Sequence, residues 1–269
     1  MKKTKTSVQR IPDEILRSWE DADGVNYAVA LARVTGWLLH VDWWTPTDDK
    51  EAMENMRSLR VYVADQTDNI FDVRGKQKIT SFNNKIIRPI AQKRGANFGG
   101  VVTRYYSEQE LFKLPLRVKP DVTRIEKAIE IITNSPFILE KIPVRIKPYI
   151  PAHLAANYTF GLCAAYANAL ADLKGLEVTA LIAMRYSDLF GHSKTGYVHS
   201  LCTHPDGEGE DSWGKQSVEI IAARFGIEVY ILNADEHQRI ITMQKLQSPE
   251  LYNKYYQEAA KLIKTYYLN

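Results

Sequence analysis

Apolar positions in this chain recur at two spacings, one helical and one of strand type, and the two alternate along its length. After a polar leader (1–20), in which IPDEILRSW reads as a short helix, DADGVNYAVALARVTGW has an Asp-rich start, an Ala-rich apolar run and Gly36 as a stop, which predicts a helix. WLLHVDWW (37–44), LRVYVADQ (59–66), IFDVRG (70–75) and FGGVVTRYY (98–106) predict strands, and a helix is expected from about Ile79 to Lys93 with a kink near Pro89. Ile125, Ala128, Ile129 and Ile132 share one face of a helix near Arg124 to Thr133. Pro136, Pro143, Pro148 and Pro151 then interrupt regular structure. A second Ala-rich helix is predicted from Cys163, followed by a hairpin, and a last helix from Ser248 with Pro249 in its first turn. Leu251, Tyr255, Ala259, Leu262, Ile263 and Tyr266 form an apolar stripe on that last helix, read as a core face.

The two halves repeat each other. GVNYAVALARVTG (24–36) aligns without a gap on CAAYANALADLKG (163–175), with Tyr27 on Tyr166 and Gly36 on Gly175. VYVADQTDNIFDVRGKQ (61–77) then aligns on VHSLCTHPDGEGEDSWGKQ (198–216) if the second copy has a longer turn, and FGGVVTRYYSEQE (98–110) on FGIEVYILNADEH (225–237). In that alignment Asp72 falls on Asp211, Gly24 on Cys163 and Tyr62 on His199. The thiol and the imidazole belong to the second copy only. The expected organisation is a non-catalytic domain over 1–115, a helical and Pro-rich connector over 116–156 that packs rather than hangs free, and a catalytic domain over 157–269.

Composition narrows the function classes. With 45% hydrophobic and 25% charged residues, the chain is of ordinary globular type and can bury a sizeable core. A net charge of +3, with no Lys/Arg-rich block beyond MKKTK, gives nucleic-acid binding no support. No apolar run reaches transmembrane length, and MKKTK lacks a signal-peptide core, so no membrane partner is expected. Two cysteines, Cys163 and Cys202, fit a reducing, cytoplasmic setting, although delivery into another cell stays open. The sequence does not fix the oligomeric state.

Cys163 opens a helix, where the positive end of the backbone dipole favours thiolate over thiol. His199 follows on one strand of the hairpin and Asp211 on the next, so base and orienting carboxylate can meet as cross-strand neighbours. Asn157, six residues before the thiol, could aim its amide at a developing oxyanion beside the Cys163 N–H. This is the set required for nucleophilic acyl transfer. Each residue also has a plainer reading. Cys163 alone is more simply a buried cysteine, His199 a core histidine, and Asp211 a carboxylate that closes a turn, as Asp72 would.

GLCAAYANALADLKGLEVTALI followed by YVHSLCTHPDGEGEDSWG resembles the core of the papain-like and transglutaminase-like cysteine enzymes, including papain-fold modules of phage and mobile elements. The resemblance spans roughly 157–233, with a fainter copy over 18–106. It implies an α+β fold of two tandem papain-like domains, each a helix packed on a small antiparallel sheet, the first lacking the catalytic Cys and His. It further implies Cys163 as nucleophile, His199 as base and acid, Asp211 as orienting group, and Asn157 in the place of a longer oxyanion-hole Gln. Amide hydrolysis, deamidation and transglutamination of a protein or peptide are the reactions it implies. The alternative from another class is a papain-fold binding or inhibitory protein without turnover; a third is a structural phage or plasmid component.

No cofactor is called for, since neither GxGxxG nor a P-loop is present. HPDGEGED (204–211), with His192, His199 and His204 nearby, offers metal-binding residue types but no EF-hand or helical His spacing. His192 and His204 are expected in surface loops and Cys202 in the core. YSDLFGHSKTG (186–196) reads as a loop over the cleft that could gate it. Of Trp37, Trp43 and Trp44, at least two are expected in the core rather than on a recognition surface.

Overall fold

The computed structural model describes residues 11–21, 23–44, 56–65, 69–73, 75–93, 100–135, 138, 142, 144–145, 150–187 and 194–267. Contacts divide the chain into two units, 1–145 and 146–269, each α+β and each built on a five-stranded antiparallel sheet. The division falls inside the segment 116–156, so the first part of that segment belongs to unit 1 and the rest to unit 2.

Unit 1 runs α1 (Asp13–Asp21), α2 (Gly24–Thr35), β1 (Leu38–Trp44), β2 (Arg57–Ala64), β3 (Asn69–Asp72), β4 (Gly75–Lys78), α3 (Ile79–Phe82), a π-wound stretch (Asn83–Ile87), α4 (Arg88–Lys93), β5 (Val101–Tyr106), α5 (Glu108–Leu111) and α6 (Val122–Thr133). Strand order is β4-β3-β2-β1-β5. Alternation along β2 sends Val61 and Val63 into a core with α2 and α6, and Tyr62 and Ala64 into a second core with Phe82, Ile86 and Ile87. Both sheet faces are therefore covered, which is why β1 reads as a nearly continuous apolar run. Trp43 and Trp44 are buried, while Trp37 is half-buried with the Arg145 guanidinium over its ring. The irregularity in the 79–93 helix lies before Pro89, as π winding rather than a kink at the proline.

Unit 2 runs α7 (Ala152–Asn157), α8 (Cys163–Lys174), β6 (Glu177–Tyr186), β7 (Gly196–Thr203), β8 (Gly209–Asp211), β9 (Gly214–Gln216), α9 (Val218–Arg224), β10 (Ile227–Asn233), α10 (Ala234–Gln247) and α11 (Pro249–Tyr267). Strand order is β10-β6-β7-β8-β9, the order of unit 1 with each strand replaced by its repeat. Gly36 and Gly175, at φ 74° and 68°, end α2 and α8 in the left-handed conformation that favours glycine. The Ala-rich α8 packs Ala164 and Ala165 against Ile241 of α10 and Tyr252 of α11.

The ladders correct the alignment of the copies. Leu38 pairs with Ala64 as Glu177 pairs with Thr203, Ala64 with Ile70 as Thr203 with Gly209, and Asp72 with Gly75 as Asp211 with Gly214. The bulges coincide too, at Asp42/Trp43 and Leu181/Ile182. Gly24 is thus equivalent to Cys163 and Asp72 to Asp211 with no insertion between them. The counterpart of His199 is Arg60, not Tyr62, which matches Leu201. Matching the letters V-x at 61 and 198 misplaces the register because apolar residues interchange freely on a strand. The β1–β5 ladder sets Asp42 against Thr103 and the β10–β6 ladder sets Leu181 against Leu232, so the last strands also match two residues away from the letter alignment.

A further departure is α10, where the sequence had suggested no helix before Ser248. Asn233 caps it, its Oδ1 accepting from the Glu236 N–H at 2.9 Å, with Asp235 and Glu236 in the first turn. Glycine at position 24 is needed for space. A Cβ there would sit 2.9 Å from the Trp19 carbonyl oxygen. Gly24→Cys should therefore cost about 1–3 kcal/mol of stability, read as a lower urea midpoint.

Candidate active site

Cys163 is the first residue of α8, after Leu162, which supplies no side-chain cap. Its N–H is one of the orphan donors of a helix start. The thiol is 3% exposed, and its Sγ lies 3.4 Å from the Tyr197 hydroxyl. Burial raises the thiol pKa, but the charge of His199, contacts with the His199 and Tyr197 side chains and the Ser200 backbone outweigh it, bringing the value down to about 7.

His199 stands on β7, fully buried, with Nε2 3.0 Å from Asp211 Oδ2. Nδ1 is buried and makes no hydrogen bond of full geometry among the described residues, so this nitrogen stays available to the thiol. Burial lowers the imidazole pKa, yet the Cys163 charge and the bond to Asp211 raise it to about 9. The opposed shifts, thiol down and imidazole up, favour a thiolate–imidazolium pair. Phe225 flanks the imidazole, ring centroids 4.9 Å apart, and the exposed Phe160 packs edge-on against Phe225 at 5.4 Å.

Asp211 ends β8 and is buried. Its carboxylate takes Nη1 of the buried Arg224, Nε2 of His199, and the Trp213 N–H at 2.9 Å. Burial would raise its pKa; the Arg224 charge and then His199 hold it far below the ordinary carboxylate range. The following turn is tied to the segment that leads into the thiol. Ser212 Oγ donates to the Ala155 carbonyl at 2.8 Å and Trp213 Nε1 to Thr159 Oγ1 at 2.8 Å. Carboxylate and helix start are thus fixed to one frame.

Of the four residues singled out in the sequence, Cys163, His199 and Asp211 come together. Asn157 is exposed, at the C-terminal end of α7. Four further residues join the site: Arg224, Tyr197, Ser200 and His237. Arg224 gave no signal beyond a cation on a short helix. Tyr197 and Ser200 should face opposite sides of a regular strand, but the bulge between the Leu181–His199 and Ile182–Tyr197 pairs re-aims them, and their hydroxyls meet at 2.9 Å. His237 comes from the unexpected α10. Its Nδ1 is 2.9 Å from Ser200 Oγ and its Nε2 2.9 Å from Asn168 Oδ1.

The Asn168 amide nitrogen donates to the Tyr252 hydroxyl at 2.7 Å, so its oxygen receives the His237 Nε2 proton and Nδ1 accepts from Ser200. Burial pushes the His237 pKa down to about 4, which keeps it neutral. The chain of bonds sets the Ser200 hydroxyl and, through it, the Tyr197 hydroxyl beside the thiol. Tyr197 has a single proton, held by Ser200 Oγ while the thiol is neutral and turned to the sulfur once it ionises, so Tyr197→Phe should raise the Cys163 pKa by at most about half a unit, read from thiolate absorbance against pH.

His204 lies in the loop after β7, half-buried rather than in open solvent. It bonds Glu210 at 2.8 Å, and buried Glu210 also takes Lys174 at 2.9 Å. Cys202 is buried with Sγ donating to the Ala167 carbonyl, and its pKa is pushed up to about 12 by burial. His192 and most of the 186–196 loop lie outside the described residues. In unit 1, Arg60 Nη2 stands 3.7 Å from Asp72 Oδ2, an ion pair in the place of His199–Asp211.

We compared the chain with protein-family models, curated proteins and solved structures. It matches none of them. Among the described residues, no helix is long and apolar enough to cross a membrane.

Proposed function

We propose that unit 2 is a thiol-dependent acyl-transfer enzyme of papain-like or transglutaminase-like type, acting on an amide of a protein or peptide. The observation that carries this reading is His199, held by Asp211 through Nε2 while Nδ1 remains open beside a helix-start thiol of lowered pKa. The Cys163 thiolate attacks the amide carbon, forming the C–S bond. Imidazolium His199 gives its proton to the leaving amine as the C–N bond breaks. Water or an amine, deprotonated by His199, then displaces the thiol. The Cys163 N–H, an orphan donor at the helix start, is the donor best placed near the oxyanion. Both cysteines are free, which fits action in a reducing, cytoplasmic setting.

A second reading, a papain-fold binding protein without turnover, is favoured by one observation: thiol and imidazole are almost closed to solvent. Peptide libraries rich in Gln, Asn and Lys separate the two. Incubation with the wild type should yield new termini, deamidated side chains or Gln–Lys cross-links in mass spectra, and Cys163→Ala should yield none. Identical spectra for both proteins would leave only the binding reading.

A further inference from the structure

The hydroxyl beside the Cys163 thiol belongs to a chain of hydrogen bonds whose direction is fixed from its far end. Asn168 Nδ2 donates to the Tyr252 hydroxyl at 2.7 Å, so Asn168 Oδ1 receives the Nε2 proton of His237 at 2.9 Å. Nδ1 of neutral His237 then has no proton, and it accepts from Ser200 Oγ at 2.9 Å. With its only proton committed there, Ser200 Oγ accepts from the Tyr197 hydroxyl, 2.9 Å away. What Tyr197 turns to the sulfur, at 3.4 Å, is a lone pair. The resting chain thus offers an acceptor, which suits a neutral S–H and opposes a thiolate.

Both controlling groups are shielded from competing water, Ser200 at 1% and His237 at 3% exposure. The fold itself does not demand the hydroxyl. The ladders that match Arg60 to His199 match Val61 to Ser200, since Val41 pairs with Val61 as Ala180 pairs with Ser200. The unit with glycine in place of the thiol has valine in place of this serine.

We infer that Ser200, anchored by His237, holds the Tyr197 proton away from the sulfur until charge develops there. Both are positioning residues that govern how readily Cys163 ionises. Ionisation requires Tyr197 to leave Ser200 and turn to the thiolate, one hydrogen bond lost for one gained. The donor is drawn to the sulfur while it carries charge and returns to Ser200 when the sulfur is neutral, as thiol or thioester. That return on the thioester rests on the acyl-transfer reading above, whereas the direction of the chain does not depend on turnover.

Ultraviolet thiolate absorbance of Ser200→Ala against pH tests it. The substitution removes the competing acceptor and changes no charge, leaving His199, Asp211, Arg224 and Glu236 in place around the thiol and Tyr197. The Cys163 pKa should fall by about half a unit to one unit, the worth of the bond that ionisation no longer breaks. In a Tyr197→Phe background the same substitution should leave the pKa unmoved, because the proton it releases is absent. Nitrogen-15 chemical shifts should show neutral His237 with its proton on Nε2. A Cys163 pKa unmoved or raised by Ser200→Ala, an equal fall in the Tyr197→Phe background, or a His237 protonated on Nδ1 would each overturn the inference. The shift is read relative to the wild type, so it stands apart from the wild-type value itself, on which the acyl-transfer reading depends.

Discussion

Replacing His199 by alanine is expected to cut the thiolate population of Cys163 at about pH 7 by roughly 50-fold. The folded thiol titrates at about 7 because the imidazole charge outweighs burial. Without the imidazole, burial acts on the sulfur against only the Tyr197 and Ser200 contacts, and its pKa rises towards the ordinary 9.0. The fraction ionised at about pH 7 then drops from about one half to about one hundredth. A more basic thiolate is intrinsically more nucleophilic, so the alkylation rate should fall less, roughly 5- to 10-fold. Iodoacetamide labelling followed by mass spectrometry reads the rate, with Cys202 in the same molecule as control. An unchanged rate would remove His199 from the site.

Asp211→Asn should have the largest effect on stability, a loss of about 3–5 kcal/mol. The change preserves shape but removes a buried carboxylate from between Arg224 and His199, leaving a buried guanidinium without its counter-charge. A loss of this size is a large part of the 5–15 kcal/mol that typically separates folded from unfolded chains. Removing Arg224 as well, as Asp211→Asn/Arg224→Met, should restore part of it, because the cost lies in the stranded charge. The pH sign follows from the depressed pKa. The ionised carboxylate stabilises the fold fully above its unfolded value of about 3.9, and this is lost only as the pH falls through the lower folded value. Urea unfolding of wild type and variants across pH measures both effects, and a wild-type-like midpoint for Asp211→Asn would refute the ion-pair network.

Much of this site was legible in the sequence because its parts lie on locally readable elements. An Ala-rich apolar run ending in Gly175 marks a helix, and Cys163 stands at its start. A hairpin between Gly196 and Gln216 puts His199 on one strand and Asp211 on the next, and they meet where the register sets both on one face. What stayed hidden depends on tertiary placement. Arg224 is a buried counter-charge whose role exists only once α9 crosses behind Asp211. Tyr197 reaches the thiol through a bulge, and a one-residue irregularity leaves no reliable mark in the letters. His237 lies on a helix with weak apolar periodicity, signalled only by its Asn233 cap. Asn157 was placed by its distance from Cys163 along the chain, which says little about direction once α7 has ended. The tandem repeat was visible from Tyr27 on Tyr166, Gly36 on Gly175 and the shared GKQ, whereas the equivalence of Arg60 and His199 required the ladders.

The thiolate–imidazolium pair is tested most directly by ultraviolet thiolate absorbance against pH, with Cys163→Ser subtracted to isolate the one sulfur. This needs no reagent to reach a thiol that is 3% exposed. The wild type should gain one thiolate with an apparent pKa of about 7, well separated from Cys202 at about 12. A Cys163 that stays protonated to about pH 9 or above, as an isolated buried thiol would, contradicts the pair and the acyl-transfer chemistry built on it.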